Sequence, residues 1–144
     1  MICKKLKNDF YQFLMPNGIG GYSYFYTENI LQEIKDTLLY DYYFDLNDKK
    51  LEYFLGFINN AFFLDNFFVK ENYQGNGLYK ELFESLYSEC LKSKTYDIFL
   101  VADNNQKQKS SKFDLIKFYE KNGFNLLKDL SNNYYLMHKK ISII

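Results

Sequence analysis

The sequence predicts a single α/β domain of mixed α+β character, and three observations carry that prediction. The 144 residues match one ordinary domain. Hydrophobic residues at 47% against 25% charged give the balance of a globular protein. Two strand-like runs, at 62–69 and 97–102, flank a helical stretch, which predicts a β-α-β crossover and so a parallel strand pair.

Taken from the N-terminus, "DFYQFLM" (9–15) reads as a short helix, and Pro16 with "NGIGGY" (17–22) as a loop. "TENILQEIKDTLL" (27–39) places Ile30, Leu31, Ile34 and Leu38 at helical spacing, with Thr27 as N-cap. "LYDYYFDL" (39–46) reads as a strand and "NDKK" (47–50) as its turn. "LEYFLGFI" (51–58) and "AFFLDNFFV" (61–69) read as two strands joined by a tight turn at Asn59 and Asn60, since asparagine tolerates positive φ. A helix follows over 77–92, with Leu78, Leu82, Leu86 and Cys90 as its stripe. "YDIFLVA" (96–102) is a short buried strand, and "DNNQKQKSS" (103–111) is a loop. "SKFDLIKFYEKNGF" (111–124) carries Phe113, Leu115, Ile116 and Tyr119 at helical spacing and stops at Gly123. "YYLMHKKI" (134–141) is a final strand.

Composition excludes several function classes. Formal net charge is zero, so the basic excess that a nucleic-acid binder uses against phosphates is missing. Cys3 and Cys90 have no paired spacing, which indicates neither a disulfide framework nor a zinc site. The most apolar run, 51–69, is interrupted by Glu52, Asn59, Asn60, Asp65 and Asn66, so a membrane span is not expected. "MICKKLKNDF" lacks the apolar core of a signal peptide, and a cytoplasmic protein is expected. The 15 Tyr and 15 Phe, with no Trp, read as a core written in two aromatic residues.

The distinctive segment is "VKENYQGNGLYK" (69–80), where two glycines, Gly75 and Gly77, stand between a strand and a helix. A helix N-terminus exposes unpaired N–H groups, and glycines beside it let an anion approach the backbone. The dinucleotide fingerprint fails because Lys80 takes the third glycine's place, and the P-loop Gly-Lys-Ser/Thr is absent. The bland alternative is a tight turn and nothing more.

Val69, Gln74, Gly75 and Gly77 resemble, in identity and spacing, the acetyl-CoA loop of the GNAT superfamily of N-acetyltransferases. "FYEKNGF" (118–124) resembles that family's second signature, in the same order along the chain. The resemblance covers 51–140 as an acetyl-CoA-binding core and leaves 1–50 as an acceptor-side part of one domain over 1–144. It implies a GNAT-like acyl-CoA N-acyltransferase fold, with a mixed twisted sheet and helices on both faces. Three features depart from the pattern. Tyr79 stands where the loop ends in a small residue, Lys112 and Leu115 replace an Asn and an Ala, and the loop 103–111 is long.

The resemblance also implies roles. Backbone amides of Gln74, Gly75, Asn76, Gly77, Leu78 and Tyr79 would hold the pyrophosphate of acetyl-CoA. The strand at Phe67, Phe68 and Val69 would pair with the pantetheine arm and polarise the thioester. Tyr119 would protonate the departing thiolate, because a phenol with a pKa near 10 keeps its proton at pH 7. Asp65 is the candidate base, with a water relay as an equal alternative. Strand alternation puts Asp65 on one face with Phe67 and Val69 and Asn66 on the other, unless a bulge changes the parity. Asp41 and Asp45 share a strand face that could attract a cationic amine, and His138 stays outside the site. The implied activity is direct acetyl transfer from acetyl-CoA to a primary amine, of a small molecule, peptide or protein, without a metal. A CoA-binding module that has lost transfer, or an interaction protein, is the alternative. Nucleic acid and membrane are not expected partners, and the chain would act as a monomer or homodimer.

Overall fold

Three strands occupy the N-terminal region where a helix and a loop were expected. The computed structural model describes residues 3–7, 9–105 and 114–142. β1 (Lys4–Lys7), β2 (Phe10–Leu14) and β3 (Gly20–Thr27) form an antiparallel meander, with a 3-10 turn at Pro16–Gly18 joining the last two. The 9–15 segment is a strand because its aromatics pair across strands. Phe10 packs on Phe25 at 4.5 Å and Tyr11 stacks on Tyr24 at 5.3 Å, contacts that outweigh a weak helical spacing.

The next correction runs the other way. The stretch 39–46 is not a strand: α1 (Ile30–Tyr42) continues into its first half and ends at Tyr43, a left-handed residue whose N–H bonds the Leu38 carbonyl, and a loop follows. Asn29, not Thr27, caps α1 by accepting the Gln32 N–H, while the Thr27 hydroxyl accepts the Asn29 N–H. Asp41 therefore sits on the last turn of a helix and Asp45 in the loop beyond it, sharing no strand face. The stretch 51–58 is also helical. Asp48 caps α2 (Lys49–Gly56) by accepting the Leu51 N–H, and Leu51 and Leu55, four residues apart, are buried. Asn59 and Asn60 thus lead from a helix into β4 (Ala61–Val69) and form no hairpin. The Asn60 side chain instead donates to Thr95 Oγ1 at 2.9 Å, tying the start of β4 to the start of β5.

From there the expected order holds. α3 (Leu78–Lys92) crosses from β4 to β5 (Asp97–Asp103), and α4 (Leu115–Lys121) precedes a hairpin of β6 (Asn125–Asp129) and β7 (Tyr134–Lys140). β6 was not anticipated. Phe113 and residues 106–112 lie outside the described residues.

The seven strands run β1-β2-β3-β4-β5-β7-β6, with β4 and β5 parallel and every other neighbour antiparallel. Helices cover both faces. On one, Leu82, Phe83, Leu86 and Cys90 of α3 and Tyr119 of α4 pack on Tyr22, Tyr24, Phe62, Leu64, Ile98 and Leu100. On the other, Ile30, Ile34 and Leu38 of α1 and Leu51 and Leu55 of α2 pack on Ala61, Phe63, Phe99 and Leu136. The aromatics are only partly core. Tyr22, Phe62, Phe99 and Phe124 are fully buried, whereas Tyr40, Tyr43, Tyr53 and Phe57 are exposed. Among the described residues no helix is long and apolar enough to cross a membrane.

Candidate active site

The parallel strands at the centre of the sheet part company halfway along. β4 and β5 pair only over Phe62–Leu64 and Ile98–Leu100. Beyond Leu64, a register shift against Ser23 and Tyr24 leaves Asp65 as an extra, bulged residue, and β4 then follows β3 alone. β5 meanwhile stays with β7 to its end at Asp103. The result is a cleft of about 390 Å³ between the two strands. The Lys70 N–H bonds the Ile19 carbonyl on the β3 side. Antiparallel alternation therefore turns the N–H and C=O of Phe67 and Val69 toward the gap, away from β3.

The bulge also settles a parity. Phe62 and Leu64, then Phe67 and Val69, all belong to the α3/α4 face. Asp65 does not join Phe67 and Val69 as simple alternation predicted. It is exposed on the opposite face, where the Ser23 hydroxyl donates to its Oδ2 at 3.4 Å.

The glycine loop lies at the cleft's edge. A 3-10 turn at Glu71–Tyr73 leads to Gly75 (φ +85°) and Gly77 (φ +77°), and a Cβ at either position would meet nothing within 4 Å. These glycines serve backbone conformation, not close packing. No side chain caps α3 at Gly77, and its first helical hydrogen bond runs from the Glu81 N–H to the Gly77 carbonyl. The amides of Leu78, Tyr79 and Lys80 thus form an uncapped helix start beside the cleft.

Two side chains from this loop reach the open strand edge. Gln74 Nε2 donates to the Val69 carbonyl at 3.0 Å. The Tyr79 hydroxyl faces the Val69 N–H, which offsets part of the rise in phenol pKa that burial causes. The Tyr79 ring stacks against Phe67 at 6.0 Å and meets Phe118 edge-on at 4.8 Å.

Tyr119 enters from α4, whose start is capped by the Asp114 carboxylate accepting from the Ile116 and Lys117 N–H groups. Its ring packs on Phe124 at 5.4 Å, the residue is 6% exposed, and it lines the cleft. No described residue hydrogen-bonds its hydroxyl. Burial first, and the neighbouring Tyr79 second, push its pKa well above the ordinary phenol value. The proton is therefore firmly held at neutral pH.

The cleft brings together Asp65, Phe67, Phe68, Val69, Gln74, Tyr79 and Tyr119 from the residues that the sequence singled out. Gly75, Asn76, Gly77 and Leu78 form the adjoining loop and helix start and do not line the cleft. Tyr42, Asn66, Val101, Asp103 and Leu115 line it and were not anticipated. Asp103 could have been suspected from its place at the C-terminal end of a parallel strand, where open α/β sheets bind ligands. Tyr42 gave no such signal while its segment read as a strand. His138 lies away from the cleft, its Nε2 2.7 Å from Asp97 Oδ1 at the start of β5. Neither thiol lines the cleft. Burial pushes the Cys3 thiol up to about 11 and the Cys90 thiol higher still, so neither is a ready thiolate.

Solved structures share this architecture. An acetyltransferase from Streptococcus agalactiae superposes with a TM-score of 0.54 at 18% identity, over 93% of this chain and 68% of that one. The ribosomal-protein-S18-alanine N-acetyltransferase from Escherichia coli gives 0.53 at 16%, over 98% and 74%. The PaiA N-acetyltransferase from Thermoplasma acidophilum, solved in complex with coenzyme A, gives 0.51 at 17%, over 91% and 59%. Comparison with curated protein sequences finds no match. The sequence model of the acetyltransferase (GNAT) family matches residues 9–124, from the start of the β2–β3 hairpin through the Tyr119 helix. With its split parallel pair, glycine-bent helix start and family match over most of its length, this chain belongs to the GNAT acetyltransferase family.

Proposed function

We propose that the cleft transfers the acetyl group of acetyl-CoA directly to a primary amine. The observation that carries this reading is the open edge of β4 at Phe67. That edge lies between an uncapped helix start on one side and, on the other, the phenol of Tyr119, which no described residue hydrogen-bonds. The residues suit the cosubstrate. Amides from Gln74 to Tyr79 surround two glycines in left-handed conformation, as a pyrophosphate cradle requires. The Phe67 N–H faces the gap with no strand partner, available to the pantetheine arm or to the thioester oxygen. The corresponding groups of Val69 are covered by Gln74 and Tyr79, so Phe67 supplies the free part of the edge.

The proton inventory then assigns the side chains. The amine arrives as an ammonium and must lose a proton. Asp65, exposed at the cleft, takes it directly or through a water. The free amine attacks the thioester carbonyl, the C–N bond forms and the C–S bond breaks. Tyr119 gives its phenolic proton to the departing sulfur and recovers one from those released by the amine. The products are the amide, the CoA thiol and one proton. Tyr119→Phe keeps the ring and removes the donor. We expect kcat to fall about 10²-fold with acetyl-CoA affinity little changed. A variant of lowered stability with wild-type kcat would make Tyr119 a core residue only.

Tyr79 favours a second reading, a module that holds CoA without transfer, because its ring and hydroxyl already occupy the edge at Val69. CoA binding by calorimetry without thiol release against a panel of amines would establish that reading.

A further inference from the structure

The cleft passes through the sheet, and its two mouths differ in chemistry. Tyr79, Tyr119 and Val69 lie on the α3/α4 side. On the α1/α2 side stand two carboxylates, Asp65 on the β4 lip and Asp103 on the β5 lip. Asp65 shares the face of Ser23, and Asp103 the face of Phe99 and Val101, which pack with α1 and α2. Tyr42, at the end of α1, lines the same cleft, its ring edge-on to Tyr134 at 4.8 Å. Its pKa is pushed up to about 12, first by burial and then by Asp41 and Asp103, with Asp65 acting in the same direction. Two carboxylates, Asp65 and Asp103, thus line this mouth. Neither makes an ion pair with a described residue, and no basic side chain is among the described lining. Among the described residues, Asp65 accepts only from Ser23, and Asp103 only from the Asn105 N–H.

An acidic mouth alone would be a solvated surface. Here it opens onto a second feature that points to a ligand, the Tyr119 hydroxyl, 6% exposed and without a described partner, in the same cleft. We propose that the acceptor is a small aliphatic diamine or polyamine, with one ammonium held by Asp103 while the reacting amine lies between Asp65 and Tyr119. This inference rests on the acetyl-transfer reading above. Asp65 alone suffices to bind or deprotonate a lone amine, and the second carboxylate, Asp103, calls for a second positive charge. Asp65 stands one residue past Leu64 and Asp103 three past Leu100, where the paired register ends. The lips are therefore staggered by two residues, roughly 7 Å at strand rise, the scale of a short alkyl spacer. Tyr42, Phe68 and Val101 give that spacer apolar walls. A free amino acid would bring a carboxylate against two others, which disfavours it.

The test compares thiol release from acetyl-CoA with putrescine, n-butylamine, glycine and a lysine-containing peptide, alongside calorimetry of putrescine on the CoA-bound protein. The expected kcat/KM for putrescine exceeds that for n-butylamine by about tenfold or more and falls with added salt. In Asp103→Asn that preference collapses toward one. Equal turnover of n-butylamine, or better turnover of glycine or the peptide, overturns the diamine inference and leaves acetyl transfer standing. Absence of thiol release with every amine defeats the transfer reading instead. In that event putrescine binding that Asp103→Asn abolishes would sustain the diamine site, and lack of putrescine binding would overturn it.

Discussion

Tyr79 is where the chain departs most from the family pattern and where one side chain has the most to decide. It stands where the resemblance puts a small residue, and its ring lies on Phe67 with the hydroxyl at the Val69 N–H. Any cosubstrate that pairs with β4 competes with that arrangement. Tyr79→Ala should therefore tighten CoA binding several-fold by calorimetry. Its loss of a half-buried ring should cost about 1–2 kcal/mol of unfolding free energy. Weakened CoA binding would show instead that the ring packs on the cosubstrate. Residues of this kind were unequally legible. Tyr119 was found because it sits inside a recognisable helix end, "FYEKNGF", and Asp65 because a carboxylate in an apolar strand is costly without a purpose. Tyr42 and Asp103 were not, because only the parting of β4 from β5 and the end of α1 bring them to one mouth.

Among the elements, α3 and its loop were read correctly for a physical reason. Glycines one residue apart before a leucine stripe leave a local signature that needs no tertiary contact. The misread elements lacked one. "LEYFLGFI" is rich in strand-favouring aromatics, yet Asp48 as N-cap and the Leu51–Leu55 pair make it α2. β3 hid its alternation, with Tyr22 and Tyr24 on one face and Ser23 and Phe25 on the other, behind the glycines of an apparent loop. The bulge at Asp65 could not be read from β4 alone, because it is a mismatch of register with β3. The proposed cosubstrate cradle can be tested at Gly77. Gly77→Ala places a Cβ at φ +77°, in open space but in a left-handed conformation that costs an L-residue roughly 1–2 kcal/mol. The strain is relieved by shifting the helix start, so the rise in Tm that acetyl-CoA produces should shrink markedly while the unliganded fold persists. An undiminished rise would place the cosubstrate elsewhere.

For the whole molecule, a core rich in tyrosine carries a cost at alkaline pH. Burial is the largest cause raising the pKa of Tyr22, Tyr24, Tyr87 and Tyr119, and it takes Tyr42 up to about 12. In the unfolded chain these phenols titrate near 10. Above that pH the unfolded state releases protons that the folded state retains, so the unfolded state gains stability. The contribution of these phenols is thus fully present below about pH 10 and is lost as pH climbs toward the folded-state values. The Tm should hold level to about pH 8, begin to fall as the unfolded-state thiols of Cys3 and Cys90 ionise at about 8.5, and drop steeply above about 10, and a level Tm through pH 12 would contradict the buried phenols. The central claim is that this fold moves an acetyl group directly between two bound partners, with no thiol in the cleft to carry it. Rapid-quench measurement of thiol release from acetyl-CoA, with and without a primary amine, tests it most directly. The account predicts no release from acetyl-CoA alone and, once amine is added, continuous release matched mole for mole by N-acetylated product. One equivalent of thiol released without amine, or none with amine while acetyl-CoA still raises the Tm, would contradict it.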